Sequence, residues 1–149
     1  INKTATAAGG GDNTEVNCAW VDRQNDDFGL AMSAKLVIIV EAVLGIGETL
    51  TFAGNFQDAS DIAGTDAADY GDAITATIVA TGESGGETVD TTVEIDVDLA
   101  HAKQFIRAQL TPNMSAGSAD TVEWSAALVF YGHSRTPATA AIDTVGGPA

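Results

Sequence analysis

Thr88-Val89-Asp90-Thr91-Thr92-Val93-Glu94-Ile95-Asp96-Val97-Asp98-Leu99 alternates apolar or β-branched residues at odd positions with polar or acidic ones at even positions. Successive side chains of an extended strand turn to opposite faces. One face of this stretch therefore carries Val89, Val93, Ile95, Val97 and Leu99 toward a core. The other carries Asp90, Glu94, Asp96 and Asp98 into water. Such alternation predicts an antiparallel sheet with one wet face.

The acidity extends beyond this strand. Between Lys35 and Lys103 there is no lysine or arginine, whereas thirteen Asp and Glu residues fall there. Over all 149 residues, 6 basic against 21 acidic side chains leave a formal net charge of −15. Phosphate binding needs clustered Lys and Arg, so no nucleic-acid partner is expected. An anionic membrane surface is disfavoured for the same reason. The longest apolar run, Leu36 to Val40, is far short of the ~20 residues of a spanning helix. Acidity of this kind serves solubility and mutual repulsion, or a salt-rich habitat, or a cation site. The single cysteine, Cys18, allows no internal disulfide and reads as a small buried hydrophobe.

The length fits one domain that removes roughly 70% of its unfolded surface on folding. Residues 1–14 hold three consecutive glycines and nothing to bury, so a flexible N-terminal arm is expected there. Glu15 to Val21 is a first strand, followed by a polar turn over Asp22-Arg23-Gln24-Asn25-Asp26-Asp27. Ser33 to Leu44 carries Leu36, Val37, Ile38, Ile39 and Val40 and predicts a central strand covered on both faces. Gly45-Ile46-Gly47 then reads as the turn of a hairpin, with Leu50, Phe52, Gly54 and Phe56 alternating along the returning strand.

Further along, Asp58 to Asp72 reads as a loop with a possible short helix capped at Asp58. Ile74 to Thr81, the acidic strand and Lys103 to Thr111 follow as strands, with Pro112 expected to stop the last of these. In Thr121 to Gly132, Val122, Trp124, Ala126, Leu128 and Phe130 point inward. Residues 133–149 form an extended C-terminal tail without periodicity. The fold class is all-β: an antiparallel β-sandwich over 15–132, jelly-roll-like, of about seven to eight strands.

No nucleophile elbow, zinc-binding helix or phosphate-cradling loop occurs, so neither enzymatic activity nor a cofactor is expected. His101 and His133 lie apart, at a strand corner and near the tail, and read as surface or interface residues. Asp58, Asp61, Asp66, Asp69 and Asp72 crowd one loop and pose two alternatives: a calcium site, without EF-hand spacing, or a solvated acidic loop. Lys103 and Arg107 share a strand with Phe105, and Arg135 follows the last strand. On so acidic a chain these cations either meet an acidic partner or pair with neighbouring strands.

Five stretches carry a resemblance that spans residues 18–136. They are Ala19-Trp20-Val21-Asp22-Arg23, Ala34-Lys35-Leu36-Val37-Ile38-Ile39-Val40 and Phe56-Gln57-Asp58-Ala59-Ser60-Asp61. The others are Ala102-Lys103-Gln104-Phe105-Ile106-Arg107-Ala108-Gln109-Leu110-Thr111 and Ala127-Leu128-Val129-Phe130-Tyr131-Gly132-His133-Ser134-Arg135. In these the chain resembles the small β-rich decoration or cement proteins of tailed-bacteriophage heads. The resemblance implies a structural virion protein on the capsid exterior whose partner is the major capsid protein. With two unpatterned ends, it further implies a homo-oligomer, a trimer over a three-fold position. Lys103, Arg107, His133 and Arg135 are the interface residues this reading nominates. A head-fibre or spike subunit, and a secreted or cell-surface module binding carbohydrate or acting in calcium-dependent adhesion, are the alternatives.

Overall fold

The computed structural model describes residues 1–25, 29–83, 87–115 and 119–133. Among these it is all-β, and the strands are β1 (Asn2–Thr6), β2 (Val16–Asn17), β3 (Val21–Asp22), β4 (Gln24–Asn25) and β5 (Gly29–Leu44), then β6 (Thr49–Ala59), β7 (Ala68–Thr81), β8 (Glu87–Asp98), β9 (Phe105–Met114) and β10 (Thr121–His133). All strand pairings are antiparallel. One sheet, here sheet A, runs β1-β10-β5, with β8 on β5 and β4 pairing the start of β5. The other, sheet B, runs β2-β9-β6-β7, with β3 also on β9.

β2 and β3 act as one strand broken by a bulge. Three residues separate Asn17 from Val21, whereas only two separate their partners Gln109 and Ile106. An extra residue of this kind is what makes a β-bulge. Counted so, and with the two-residue β4 set aside, eight strands take jelly-roll order: β1 and β10 flank each other beside β5 and β8, while β2/β3 and β9 stand beside β6 and β7. Among the described strands, β6 and β7 pair as consecutive neighbours within one sheet, as do the two-residue β4 and the start of β5.

That topology corrects the hairpin expected at Gly45-Ile46-Gly47. β5 and β6 lie in different sheets, so the turn carries the chain across the sandwich. The N-terminal segment also differs from the arm expected. Asn2 to Thr6 pair with Ser125 to Thr121 and extend sheet A, because β10 would otherwise present a bare backbone edge there. Pro112 does not stop β9 but lies inside it, opposite Phe52. Its carbonyl accepts from Asn13 at 2.8 Å, beyond the end of β2. Its missing N–H therefore faces a margin where no ladder continues. No helix forms between Asp58 and Asp72, since Asp58 and Ala59 close β6 and Ala68 opens β7. The tail from 134 onward, Asp26-Asp27 and Gly85-Gly86 lie outside the described residues.

The core lies between the sheets. Leu36, Ile38, Val40 and Leu44 of β5 meet Leu50, Phe52 and Phe56 of β6 and Ile106 and Leu110 of β9. Trp124 of β10 stands edge-on to Phe52 across the interface, ring centroids 5.2 Å apart. β8 behaves as its alternation predicts: Val97 and Leu99 are buried, and Val89, Val93 and Ile95 pack against the core. Asp90, Glu94, Asp96 and Asp98 are exposed. β5 is central but is not covered on both faces, since Ile39 is 58% exposed on the outer side. Gly54 is required where β6 and β9 approach most closely, because a Cβ there would meet the Gln109 carbonyl oxygen at 1.9 Å.

Candidate functional site

At the end of the sandwich where β8 crosses to β9, a buried cation gathers four backbone carbonyls from the start of β5 and from residues 99–103. Arg23 is 4% exposed. Its guanidinium donates to the carbonyls of Ala31 at 2.7 Å, Leu99 at 2.8 Å and Lys103 at 2.7 Å, and also to that of Ala102. A planar fork of five donors suits such a cluster of acceptors, which an ammonium could not span. Burial pulls the guanidinium below its ordinary basicity, and Tyr70 and Asp58 oppose that fall. The sequence pattern places Arg23 in a polar turn. The signal it missed is the lone arginine between Val21 and Gly29 on a chain with so few cations.

Beside this node the acidic loop is folded onto its own donors. Buried Asp58 accepts the backbone N–H of Lys103 at 2.9 Å, and its other oxygen stands 3.7 Å from Lys103 Nζ. Lys103 Nζ also pairs with Asp66 Oδ2 at 3.0 Å and donates to the Asp66 carbonyl at 2.9 Å. Asp66 takes the Ser60 N–H and hydroxyl, each at 2.8 Å. The Ser60 N–H, with Lys103 and the Ser60 hydroxyl, holds the Asp66 carboxyl far below the ordinary range. The Thr65 N–H lowers Asp61 in the same way. Asp69 accepts from Asn55 at 2.7 Å and Gln57 at 2.9 Å. Thus Asp58, Asp61, Asp66 and Asp69 are engaged by protein donors, and no group of three or more ligating side chains among the described residues is placed to hold a metal ion.

The outer face of sheet B continues this wiring. Arg107 donates from Nε at 3.0 Å and Nη2 at 2.7 Å to Gln57 Oε1. Its guanidinium also lies 4.5 Å from the centroid of the Trp20 ring. Trp20 rests on Gly64, where a Cβ would come within 2.6 Å of Nε1. Gln109 donates to Glu15 at 3.0 Å and to Asn17. Lys103 and Arg107 therefore direct their charge inward to neighbouring side chains. His133 ends β10 opposite Ala31, and Arg135 lies outside the described residues. The structure brings Lys103 and Arg107 near each other on β9 and its approach, with His133 on the other sheet.

The outer face of sheet A is built differently. Strand register sets Glu123, Glu41 and Asp90 side by side on β10, β5 and β8. One step along lie Ser125, Ile39 and Thr92, then Ala127, Val37 and Glu94, then Val129, Lys35 and Asp96. Lys35 pairs with Glu94 at 2.6 Å and approaches Asp96 at 3.9 Å. The Glu94 hydrogen bond, followed by the charge of Asp96, raises the basicity of Lys35. Tyr131 donates its hydroxyl to Asp96 at 3.0 Å, and this bond raises its own pKa. Val129 is 53% exposed and Tyr131 42%. An open concavity of about 650 Å³ lies over Ile39, Glu41, Asp90, Thr92, Glu123 and Ser125.

Two other hollows are present. One of about 520 Å³ follows the seam between the edge strands β7 and β8, beside Tyr70, Ile74, Ile95 and His101. Tyr70 bridges that seam by donating to the Asp98 carbonyl at 2.8 Å. The other, about 110 Å³, is apolar and lies by Cys18 and Leu128. Burial pushes the Cys18 thiol up, away from the reactive thiolate.

No family model and no curated protein matches the chain. Among solved structures, it is similar to a mutant VP2 protein of infectious bursal disease virus in T=1 particles, at 12% identity and TM-score 0.39, over 86% of this chain and 28% of that one. The Gt strain structure of the same virus gives 15% identity and TM-score 0.37 over 86% of this chain and 29% of the other. The Gx strain gives 16% and 0.39 over 93% and 34%. The chain thus spans about a third or less of the proteins it is similar to.

Proposed function

We propose that this chain is a non-enzymatic structural protein of a virion, a decoration or cement protein on the capsid exterior of a tailed phage. The observation that carries this reading is the jelly-roll strand order. That architecture recurs in viral capsid domains, in lectins and in cupins, so the fold alone does not choose among them. The packing of this jelly roll favours the first. Phe52 against Trp124 fills the space between the sheets, and Trp20 is occupied by Arg107 and Gly64 instead of standing free as a sugar platform. The likeness of residues 18–136 to phage-head decoration proteins points the same way. Support for a non-catalytic role comes from the polar networks, in which each donor is directed to a structural carbonyl, amide or carboxylate.

On this reading the partner is the major capsid protein and the working unit is a homotrimer. Mass spectrometry of purified virions should find the chain in stoichiometric amounts, and antibody labelling in electron micrographs should place it on the outer shell. Sedimentation of the free protein should give a trimer. Absence from purified virions would remove the assignment.

A further inference from the structure

The outer face of sheet A carries a docking surface, and we infer that it receives a protein partner presenting lysine or arginine beside an apolar ridge. This inference rests on the capsid reading and names the face and chemistry by which the chain would be held. Val37, Ile39, Val129 and Tyr131 form the apolar part, on adjacent strands β5 and β10, with three of the four exposed by 42% or more. Contiguous exposed apolar side chains on a rigid sheet mark interaction sites.

The charge beside them fixes the kind of partner. Glu123, Glu41 and Asp90 stand in one row across three strands, exposed, and none makes an ion pair among the described residues. Like charges directly opposite each other in a sheet are destabilising. A cationic side chain set into the concavity above Glu41 relieves that repulsion while its apolar neighbours cover Ile39 and Val37. Farther along the face, Lys35 pairs with Glu94 and approaches Asp96, and the Tyr131 hydroxyl donates to Asp96. Among the described residues of this face, the carboxylates that have neither an ion pair nor a hydrogen bond are therefore those of the row at Glu41. A second copy of this chain is the poorer occupant, since it would set another row of carboxylates against the first on a protein of net charge −15. Nucleic acid is excluded by the same sign of charge.

The test uses the full chain and empty capsid shells of the phage that carries its gene. Wild type should co-sediment with the shells, and binding should weaken at least tenfold between low and high salt. Glu41→Lys and Glu123→Lys should each weaken binding at least tenfold with the thermal transition undiminished, because both relieve repulsion in the free fold. Ile39→Lys should do likewise, whereas Ile46→Lys, at an exposed turn off this face, should bind as wild type does. Failure of wild type to bind at all overturns the capsid reading and this inference with it. Binding by wild type that all three face variants retain, or that salt leaves unchanged, overturns the inference alone. Loss of self-association in Ile39→Lys, with shell binding intact, would make the face an interface between copies and also overturn it.

Discussion

On the outer face of sheet B, Arg107 reaches Gln57 and Trp20, and Gln57 and Asn55 reach Asp69. On the outer face of sheet A, Glu123, Glu41 and Asp90 stand side by side with no ion pair among the described residues, next to exposed Ile39. Both faces belong to strands of similar length in one sandwich, so strand formation does not explain the contrast. The difference is in what the polar side chains do: on sheet B they close loops and strands onto one another, whereas on sheet A the contacts of Lys35 and Tyr131 with Glu94 and Asp96 stop short of the row at Glu41. A face that stabilises the monomer tolerates change poorly, and a face held for a partner tolerates it well.

The largest effect should come from the end of the sandwich that both sheets share. Arg23→Ala removes the donor of four carbonyls and should cost roughly 3–5 kcal/mol. Arg23→Lys should recover only part of this, since one ammonium cannot replace the fork. Urea denaturation midpoints measure both. Next, Arg107→Ala should cost about 1–2 kcal/mol by losing the Gln57 bonds and the Trp20 stack. Ile39→Ser, on the opposite face, should stay within about 0.5 kcal/mol of wild type. Equal losses at the two positions would break the contrast between the faces.

A smaller effect of opposite sign sharpens it. Glu41→Gln should stabilise the free protein by a few tenths of a kcal/mol, because it interrupts the carboxylate row, and the gain should shrink as salt is added. The smallest effect is local to residues 60–67. Asp66 is held below its ordinary value of 3.8. Its contribution is therefore fully present above that value and is lost only as the pH falls through the depressed one. An NMR titration should find the Ser60 amide unchanged through the ordinary carboxylate range and released only in stronger acid.

Side-chain period was the legible part of this fold. Val89 to Asp98 of β8 and Thr121 to Trp124 of β10 alternate between a core-facing and a solvent-facing set, as the sequence pattern predicts, because a strand's period is fixed by its backbone. Connectivity was not legible at Gly45-Ile46-Gly47, where glycines permit a tight return and a crossing between sheets equally. Pro112 was misplaced because its tolerance depends on where β2 ends, which is a fact about another strand. Arg23 was missed for a related reason: its acceptors come from residues 31, 99, 102 and 103, distant in sequence. The row of Glu123, Glu41 and Asp90 exists only through register, so no reading of single segments would assemble it. Lys103 and Arg107 were visible as rare cations, but their engagement with Asp66 and Gln57 needed the fold.

In the proposed complex the outer face of sheet A rests against the capsid. A cryo-electron microscopy reconstruction of decorated shells tests it most directly. The account predicts density for the sandwich on the shell exterior with β5 and β10 turned toward the capsid and a basic side chain of the shell over Glu41. Density with Arg107 and Gln57 against the shell, or shells left bare under saturating protein, would contradict it.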